Sequence, residues 1–199
     1  MPKIVTEQEK IMMRNAMHQQ GIRLIREKGI THITVDDMID AVEIAKGTFY
    51  KYYPSKDELL YEIVRQAEEK MLTKVLSVDY EKGNFRDNVS KMLKKIYLAP
   101  DSIALYVTPE EVEYLADKTS GCGQNDPLVK KQSNFDRTAK LFGLKEDDET
   151  RGVLSYLMDA LQFTASCRSV FDDEFRQLAL EKMVDTIAAY LSERRRKND

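Results

Sequence analysis

Residues 34–60 constrain this chain more than any other stretch, because they place two helix starts and a helix stop in very little sequence. Thr34, followed three residues later by Asp37, reads as an N-cap with its reciprocal acid, and Val35, Met38, Ile39 and Val42 then fall at i, i+3, i+4 and i+7. That spacing predicts a two-turn helix with one buried face. A second short helix is predicted over 46–52, Pro54 interrupts it, and Ser55-Lys56-Asp57-Glu58 is a capping box that opens a long third helix. This third helix carries the apolar stripe Leu59, Leu60, Ile63, Val64, Ala67, Met71, Leu72 and Val75. A short helix, a tight turn and a second short helix form a unit whose second helix fits the DNA major groove, about 12 Å wide. Residues 34–60 are therefore a candidate DNA reader.

The rest of the chain is also patterned for helices, and no period-two alternation is sustained enough to argue for a sheet. Residues 6–28 carry Met13, Met17, Gly21, Leu24 and Ile25 on one face, with Gly29 as a left-handed stop after the cations Arg26 and Lys28. Lys82-Gly83-Asn84 marks a break before a helix over 85–98, which Pro100 ends. Thr108-Pro109-Glu110-Glu111 joins an N-cap, a proline at the first helical position and an acid at the third. Residues 119–125 are the most loop-like. A further helix is predicted from Asp126-Pro127 to Phe142-Gly143, and two long ones over 148–171 and 173–196. The expected fold class is all-α.

Charged residues make up 33% of the chain and hydrophobic ones 42%, and no apolar run approaches the roughly 18 residues that span a bilayer. The first ten residues lack the apolar core of a secretory signal, so a cytoplasmic protein with no membrane partner is expected. Cys122 and Cys167 are the only cysteines and have no Cys-x-x-Cys spacing, which indicates reduced thiols rather than a disulfide framework or a thiolate zinc site. Asp147-Asp148 and Asp172-Asp173 stand where helices begin, and the helix dipole explains them without a metal. The loop Ser120-Gly121-Cys122-Gly123 has no histidine near it in sequence; His18 and His32 are read as surface or interface residues. Neither an enzyme, a metal nor a cofactor is expected. The formal charge is −3, but residues 1–56 carry +2 and the remainder −5, so the basic excess lies with the candidate reader.

Taken together, these blocks resemble the DNA-binding domain of the TetR family of bacterial transcriptional regulators. In that family a first helix ends in a Lys-Gly-like turn and is followed by a Thr-capped helix. A Lys-Gly-Thr-aromatic-Tyr recognition helix and an aromatic-Pro-Ser-Lys junction come next. Here they are Glu27-Lys28-Gly29, the run from Thr34 to Ile39, the run from Lys46 to Tyr53, and Pro54-Ser55-Lys56, in order over about the first quarter of the chain. The resemblance implies a three-helix helix-turn-helix domain at 1–56. A helical effector-binding and dimerisation domain would occupy 57–199, entered by a connecting helix at about 56–77. It implies a homodimeric, ligand-responsive repressor bound to a palindromic operator in double-stranded DNA and released by a small-molecule effector.

Physical chemistry assigns roles at the matching positions. Gly47 lets the backbone approach DNA closely, and Thr48 and Tyr50 can donate to phosphate or base edges, with Tyr52 beside them. Lys46, Lys51 and Lys56 are point charges for the backbone, Thr34 could pair its hydroxyl with a phosphate, and Phe49 should face the core. The sequence departs from the family pattern in the turn. Glu43 stands where glycine is usual, which costs about 1 kcal/mol in a left-handed conformation. Ala45 removes a capping hydroxyl, a loss of about 0.5–2 kcal/mol. These two changes and the small basic excess keep an alternative open, a TetR-like adaptor or coactivator acting through protein partners.

In the C-terminal part the resemblance implies a pocket and a dimer face without fixing residues. Pocket expectations fall on Tyr97, Tyr106, Tyr114, Phe135, Phe142, Met158, Gln162 and Phe163, since ligand cavities are apolar with a few polar groups. Dimer expectations fall on Val153, Tyr156, Leu157, Ala160, Leu161 and Thr164, and on Leu178, Met183, Ile187 and Leu191, the stripes of the last two helices. The competing reading of both sets is the core of one chain.

Overall fold

The computed structural model describes residues 6–99, 102–119, 127–167 and 173–196. Among them the chain is helical, as its periodicity predicts, with a single isolated antiparallel bridge and no strand. The helices are α1 (Glu7–Lys28), α2 (Val35–Val42), α3 (Lys46–Phe49), α4 (Lys56–Leu76), α5 (Phe85–Tyr97), α6 (Pro109–Lys118), α7 (Pro127–Phe142), α8 (Asp148–Ser166) and α9 (Asp173–Arg194). They form two compact units, Met1–Ala67 with Glu110–Cys122, and Glu68–Pro109 with Gly123–Asp199.

In the first unit, α1 opens on a capping box: Glu9 N–H donates to the Thr6 hydroxyl at 3.2 Å, and Thr6 N–H donates to the Glu9 carboxylate at 2.9 Å. Gly29 ends it at φ 75°, leading into a 3-10 turn over Ile30–His32. Met17, Leu24 and Ile25 of the α1 stripe are buried with Ile30, Ile33, Met38, Leu59, Leu60, Ile63 and Leu115. Gly21 is the point of closest approach. A Cβ there would lie 2.4 Å from Ile63 Cδ1 and 3.9 Å from Met38 Cε, so a side chain at this position requires the end of Ile63 to move aside. The Glu111 carboxylate accepts from Ile30 N–H at 2.9 Å, so α6 supplies the cap that the 3-10 turn lacks from its own residues.

In the second unit, α9 packs against α5 and α8 around Val89, Leu93, Leu161, Leu180, Val184, Ile187 and Leu191. Asp185 binds α9 to α5, accepting from the Ser90 hydroxyl at 2.9 Å and pairing with Lys94 at 3.2 Å. Asp147 caps α8 by accepting from Thr150 N–H at 2.7 Å, a hydrogen-bonding role beyond the favourable helix dipole expected at this position. The helix expected to reach residue 196 stops at Arg194. The main chain leaves it there to bond with the α7–α8 connection: Lys145 N–H donates to Arg194 O at 3.0 Å and Arg196 N–H to Gly143 O at 2.8 Å. Arg194, Arg195 and Arg196 pair with Glu149, Glu81 and Glu146 respectively. The cationic end is thus fastened to three other segments. The helix expected over 148–171 ends at Ser166, and residues 168–171 lie outside those described.

The close approach at Gly21 generates a prediction. Gly21→Val should destabilise the chain by about 1–3 kcal/mol, because Ile63 is itself buried and has little room to turn away. An unchanged urea midpoint would show that α1 and α4 are not packed at this distance.

Candidate nucleic-acid interface

The reader is assembled from α2, a turn, α3 and the start of α4. The Thr34 hydroxyl accepts from Asp37 N–H at 3.1 Å and donates to the Asp37 carboxylate at 2.8 Å, while Thr34 N–H donates to the same carboxylate at 2.9 Å. Lys28, the last residue of α1, adds an ion pair to Asp37 at 2.5 Å. The Lys28 contact first, and then the two Thr34 donors, hold the Asp37 carboxyl down at about 2. The Thr34 hydroxyl expected to meet a phosphate is therefore committed to the cap.

The turn carries both departures noted in the sequence. Glu43 adopts φ 57° and ψ 48°, and it is the one described residue other than glycine with a positive φ. Its N–H reaches Asp40 O and Ile39 O, and Ile44 N–H donates to Ile39 O at 3.0 Å, closing the end of α2 in the manner of a Schellman motif. Ala45 is the N-cap of α3 and offers no side-chain hydrogen bond.

The second helix is shorter than predicted. Regular α-helix covers Lys46–Phe49 only, after which Lys51 N–H donates to Thr48 O at 3.1 Å and Tyr52 N–H to Phe49 O at 2.9 Å, a tightening to i→i−3 bonds. Phe49 is 0% exposed, as its inward assignment requires. Tyr53 is also buried, 3% exposed, with its ring 6.3 Å from that of Phe49, so it is a core residue. On the outer side Lys46, Gly47, Tyr50 and Lys51 are exposed, with Tyr50 at 49% and its ring edge-on to Phe49. Thr48 and Tyr52 are half-buried beside them. Lys46 is paired with Asp36 at 3.1 Å in full view of solvent, a contact worth little that a phosphate can replace. Lys56 is different: it is half-buried and bonded to Asp57 at 3.0 Å. Nothing lies within 4 Å of a Cβ built on Gly47, and its φ is not positive, so no contact within this chain asks for glycine there.

The residues expected in a pocket separate. Tyr97 and Phe142 are buried, Phe142 in an aromatic trio 4.6 Å from Tyr80 and 5.7 Å from Phe85, which makes it core. The Tyr97 phenol is pushed up to about 12 by burial and then by the charge of Asp159. Tyr106, Phe135 and Met158 are half-buried, Phe135 beneath the Arg151 guanidinium at 5.2 Å, and the Gln162 amide donates to Val107 O at 3.0 Å. Tyr114 belongs to the other unit, on α6, and Phe163 is 61% exposed.

The dimer expectations divide in a similar way. Leu161, Ile187 and Leu191 are covered by the core of their own unit, and Leu157 and Met183 are half-buried against it. Val153, Tyr156, Ala160 and Leu178 are exposed, Tyr156 by 80%, and Thr164 is half-buried. Phe163 falls with Tyr156 and Ala160 at helical spacing, and Phe175 on α9 is exposed as well.

Three outcomes follow from the turn and its cap. Glu43→Gly should raise stability by about 1 kcal/mol by relieving the left-handed backbone, and Ala45→Ser by about 0.5–2 kcal/mol by capping α3. A urea midpoint that falls in either variant would contradict these conformations. Asp37 has a folded pKa of about 2, below its ordinary value of 3.8. Its contribution is therefore present above pH about 4 and disappears as the pH falls towards 2. Asp37→Asn should remove that part of the acid-side decline, read as urea midpoints across this window.

Residues 19–63 match the family model described as bacterial regulatory proteins, tetR family. YuxN of Bacillus subtilis (strain 168), an HTH-type transcriptional regulator, is 23% identical over 159 residues, 78% of this chain. This chain spans about half, 52%, of the length of that relative. A TetR-family transcriptional regulator from Haemophilus influenzae superposes with a TM-score of 0.55 at 19% identity, over 89% of this chain and 97% of its own. A protein from Saccharomonospora viridis in complex with choline also reaches 0.55, at 16% identity over 88% and 96% of the two chains. At such identities the structures establish a shared fold, and the matched segment is the one containing α2, the turn and α3. Over residues 19–63 the chain is thus similar to bacterial regulatory proteins of the tetR family, and over most of its length it shares the fold of a solved TetR-family regulator.

Proposed function

We propose that this chain is a cytoplasmic, homodimeric repressor that reads a palindromic operator through residues 1–56 and takes up a small-molecule effector in residues 57–199. The observation that carries the reading is Gly47. A glycine in the first turn of a helix, with no positive φ and no neighbour where a side chain would go, makes sense through something outside the chain. DNA backbone brought against the start of α3 is the partner that suits exposed Lys46, Lys51 and Tyr50 on the same side. Lys46, Gly47, Thr48, Tyr50, Lys51 and Tyr52 form the proposed contact face, with Lys56 at its margin.

Half-site reading by a helix-turn-helix calls for two copies related by a twofold axis. Val153, Tyr156, Ala160 and Phe163 on α8, with Phe175 and Leu178 on α9, supply an exposed apolar patch suited to that contact. The choline held by the Saccharomonospora viridis protein supports a small organic effector here as well. Tyr97, Tyr106, Phe135, Met158 and Gln162 are the proposed lining. Effector binding would weaken operator affinity by a coupling of about 1–3 kcal/mol.

The tests use the tightest-bound duplex recovered from a random-sequence selection with the unmutated chain. Gly47→Ala should leave the urea midpoint unchanged or raised, because alanine favours a helix, and yet weaken binding to that duplex about tenfold or more. Loss of stability without loss of binding would reverse the argument. Tyr50→Ala should abolish discrimination between the selected and a scrambled duplex while sedimentation still shows a dimer. Tyr156→Glu should sediment as a monomer. Binding should fall steeply with salt as counterions are released, and a chain that shifts no duplex even at low salt would instead be an adaptor working through protein partners.

A further inference from the structure

Tyr53, His18 and Glu62 come from three different elements and meet at one point beneath the reading helix. Tyr53 ends the tightened turn after α3, its N–H donating to Phe49 O at 3.1 Å. Its hydroxyl lies 3.2 Å from His18 Nε2, on α1, and that nitrogen lies 3.1 Å from Glu62 Oε1, on α4. The Tyr53 hydroxyl is also bonded to Glu62, and the Arg14 guanidinium covers the Tyr53 ring at 5.2 Å. Burial first, and then the charge of Glu62, push the Tyr53 phenol up to about 12, so it remains a donor at any physiological pH. The Tyr53 O–H is thus placed to donate to the Glu62 carboxylate, with His18 Nε2 bridging the hydroxyl and the carboxylate. The Tyr53 ring stays 3% exposed.

We propose that His18 is a positioning residue for operator binding, fixing the tilt of the reading helix by holding the Tyr53 hydroxyl against Glu62. The need for such a device is visible in α3 itself, which is one turn long, has no side-chain cap and follows a strained residue. Apolar burial of Phe49 holds that turn in place but is not directional, whereas a hydrogen bond weakens steeply with misalignment. The inference rests on the assignment of residues 46–52 to DNA contact.

The experiment compares the full-length chain with Tyr53→Phe, His18→Ala, the double variant and His18→Gln, by fluorescence anisotropy on the selected duplex and on a scrambled one. Tyr53→Phe and His18→Ala should each weaken binding to the selected duplex about tenfold, the effect of roughly one hydrogen bond, while scrambled-duplex binding changes by less than about twofold. The double variant should lose no more than either single one, and His18→Gln, which returns a donor near the Nε2 position, should recover most of the loss. Leu161→Val, in the core of the second unit, serves as a control that lowers thermal stability by a similar amount without changing duplex binding. Undiminished binding in Tyr53→Phe and His18→Ala, equal losses on both duplexes, additive losses, or no recovery in His18→Gln would each overturn the role. If the unmutated chain fails to discriminate, or Tyr50→Ala keeps full discrimination, the DNA assignment itself falls; if both behave as expected and His18→Ala is silent, only the positioning role does.

Discussion

The reader depends on the burial of Phe49. An isolated helical turn does not persist in water, because the first hydrogen bond fixes several residues at once and returns little. α3 is only such a turn, so what holds it is the ring of Phe49 at zero exposure, beside Tyr53 and over the core that α1, α2 and α4 share. Full burial of a phenylalanine is worth about 1.5–3 kcal/mol, enough to hold one turn in place. The same burial decides what the other side displays. With Phe49 inward, helical geometry turns Gly47 and Tyr50 away from the core, while Lys46 is exposed at the open start of the helix, so the fold and much of the candidate contact surface follow from one anchored ring.

Glu43 and Ala45 acquire a physical meaning in that setting. A left-handed glutamate and an uncapped N-terminus each cost on the order of 1 kcal/mol, and both stand immediately before α3. Local preference and global fold disagree at these positions, and such disagreement gathers at functional segments rather than in the scaffold. The turn nevertheless closes, because Ile44 N–H reaches Ile39 O, the Thr34–Asp37 box fixes the other end of α2, and Lys28 ties that box to α1. α2 is firmly specified at its start and strained at its end. The local cost in the reader therefore falls on the turn between α2 and α3.

What could be read from the sequence was whatever the chain does with near neighbours. Thr34 with Asp37, and Ser55 with Glu58, announce their helices because a hydroxyl and a backbone N–H three residues apart meet by helix geometry alone; Glu58 N–H donates to Ser55 Oγ at 3.2 Å. The inward position of Phe49 follows from the same periodicity. The end of α3 was not legible, since only tertiary packing tightens residues 51 and 52 into i→i−3 bonds. Tyr53 looked like one more aromatic of the recognition segment until His18, thirty-five positions away, was placed against its hydroxyl. Glu111 on Ile30 and the three C-terminal arginines on Glu149, Glu81 and Glu146 are likewise pairings over long sequence separations.

The α8 stripe shows why periodicity could find an apolar face without saying what covers it. Leu154, Leu161 and Ala165 point into the core of their own unit, while Val153, Tyr156, Ala160 and Phe163 run along another side and stay exposed. A helix that served one core would need an apolar arc of about 100°, with polar residues over the rest. α8 is apolar over a wider arc than this, and the excess is aromatic at two positions. Single exposed apolar side chains are ordinary on any protein surface, but large ones repeated at helical spacing along one helix form a stripe that water disfavours, and Phe175 and Leu178 of α9 are exposed as well. Such width is expected of a helix with two partners, one inside the chain and one outside. A second copy of the same surface is the partner that would also give the reader its second half-site.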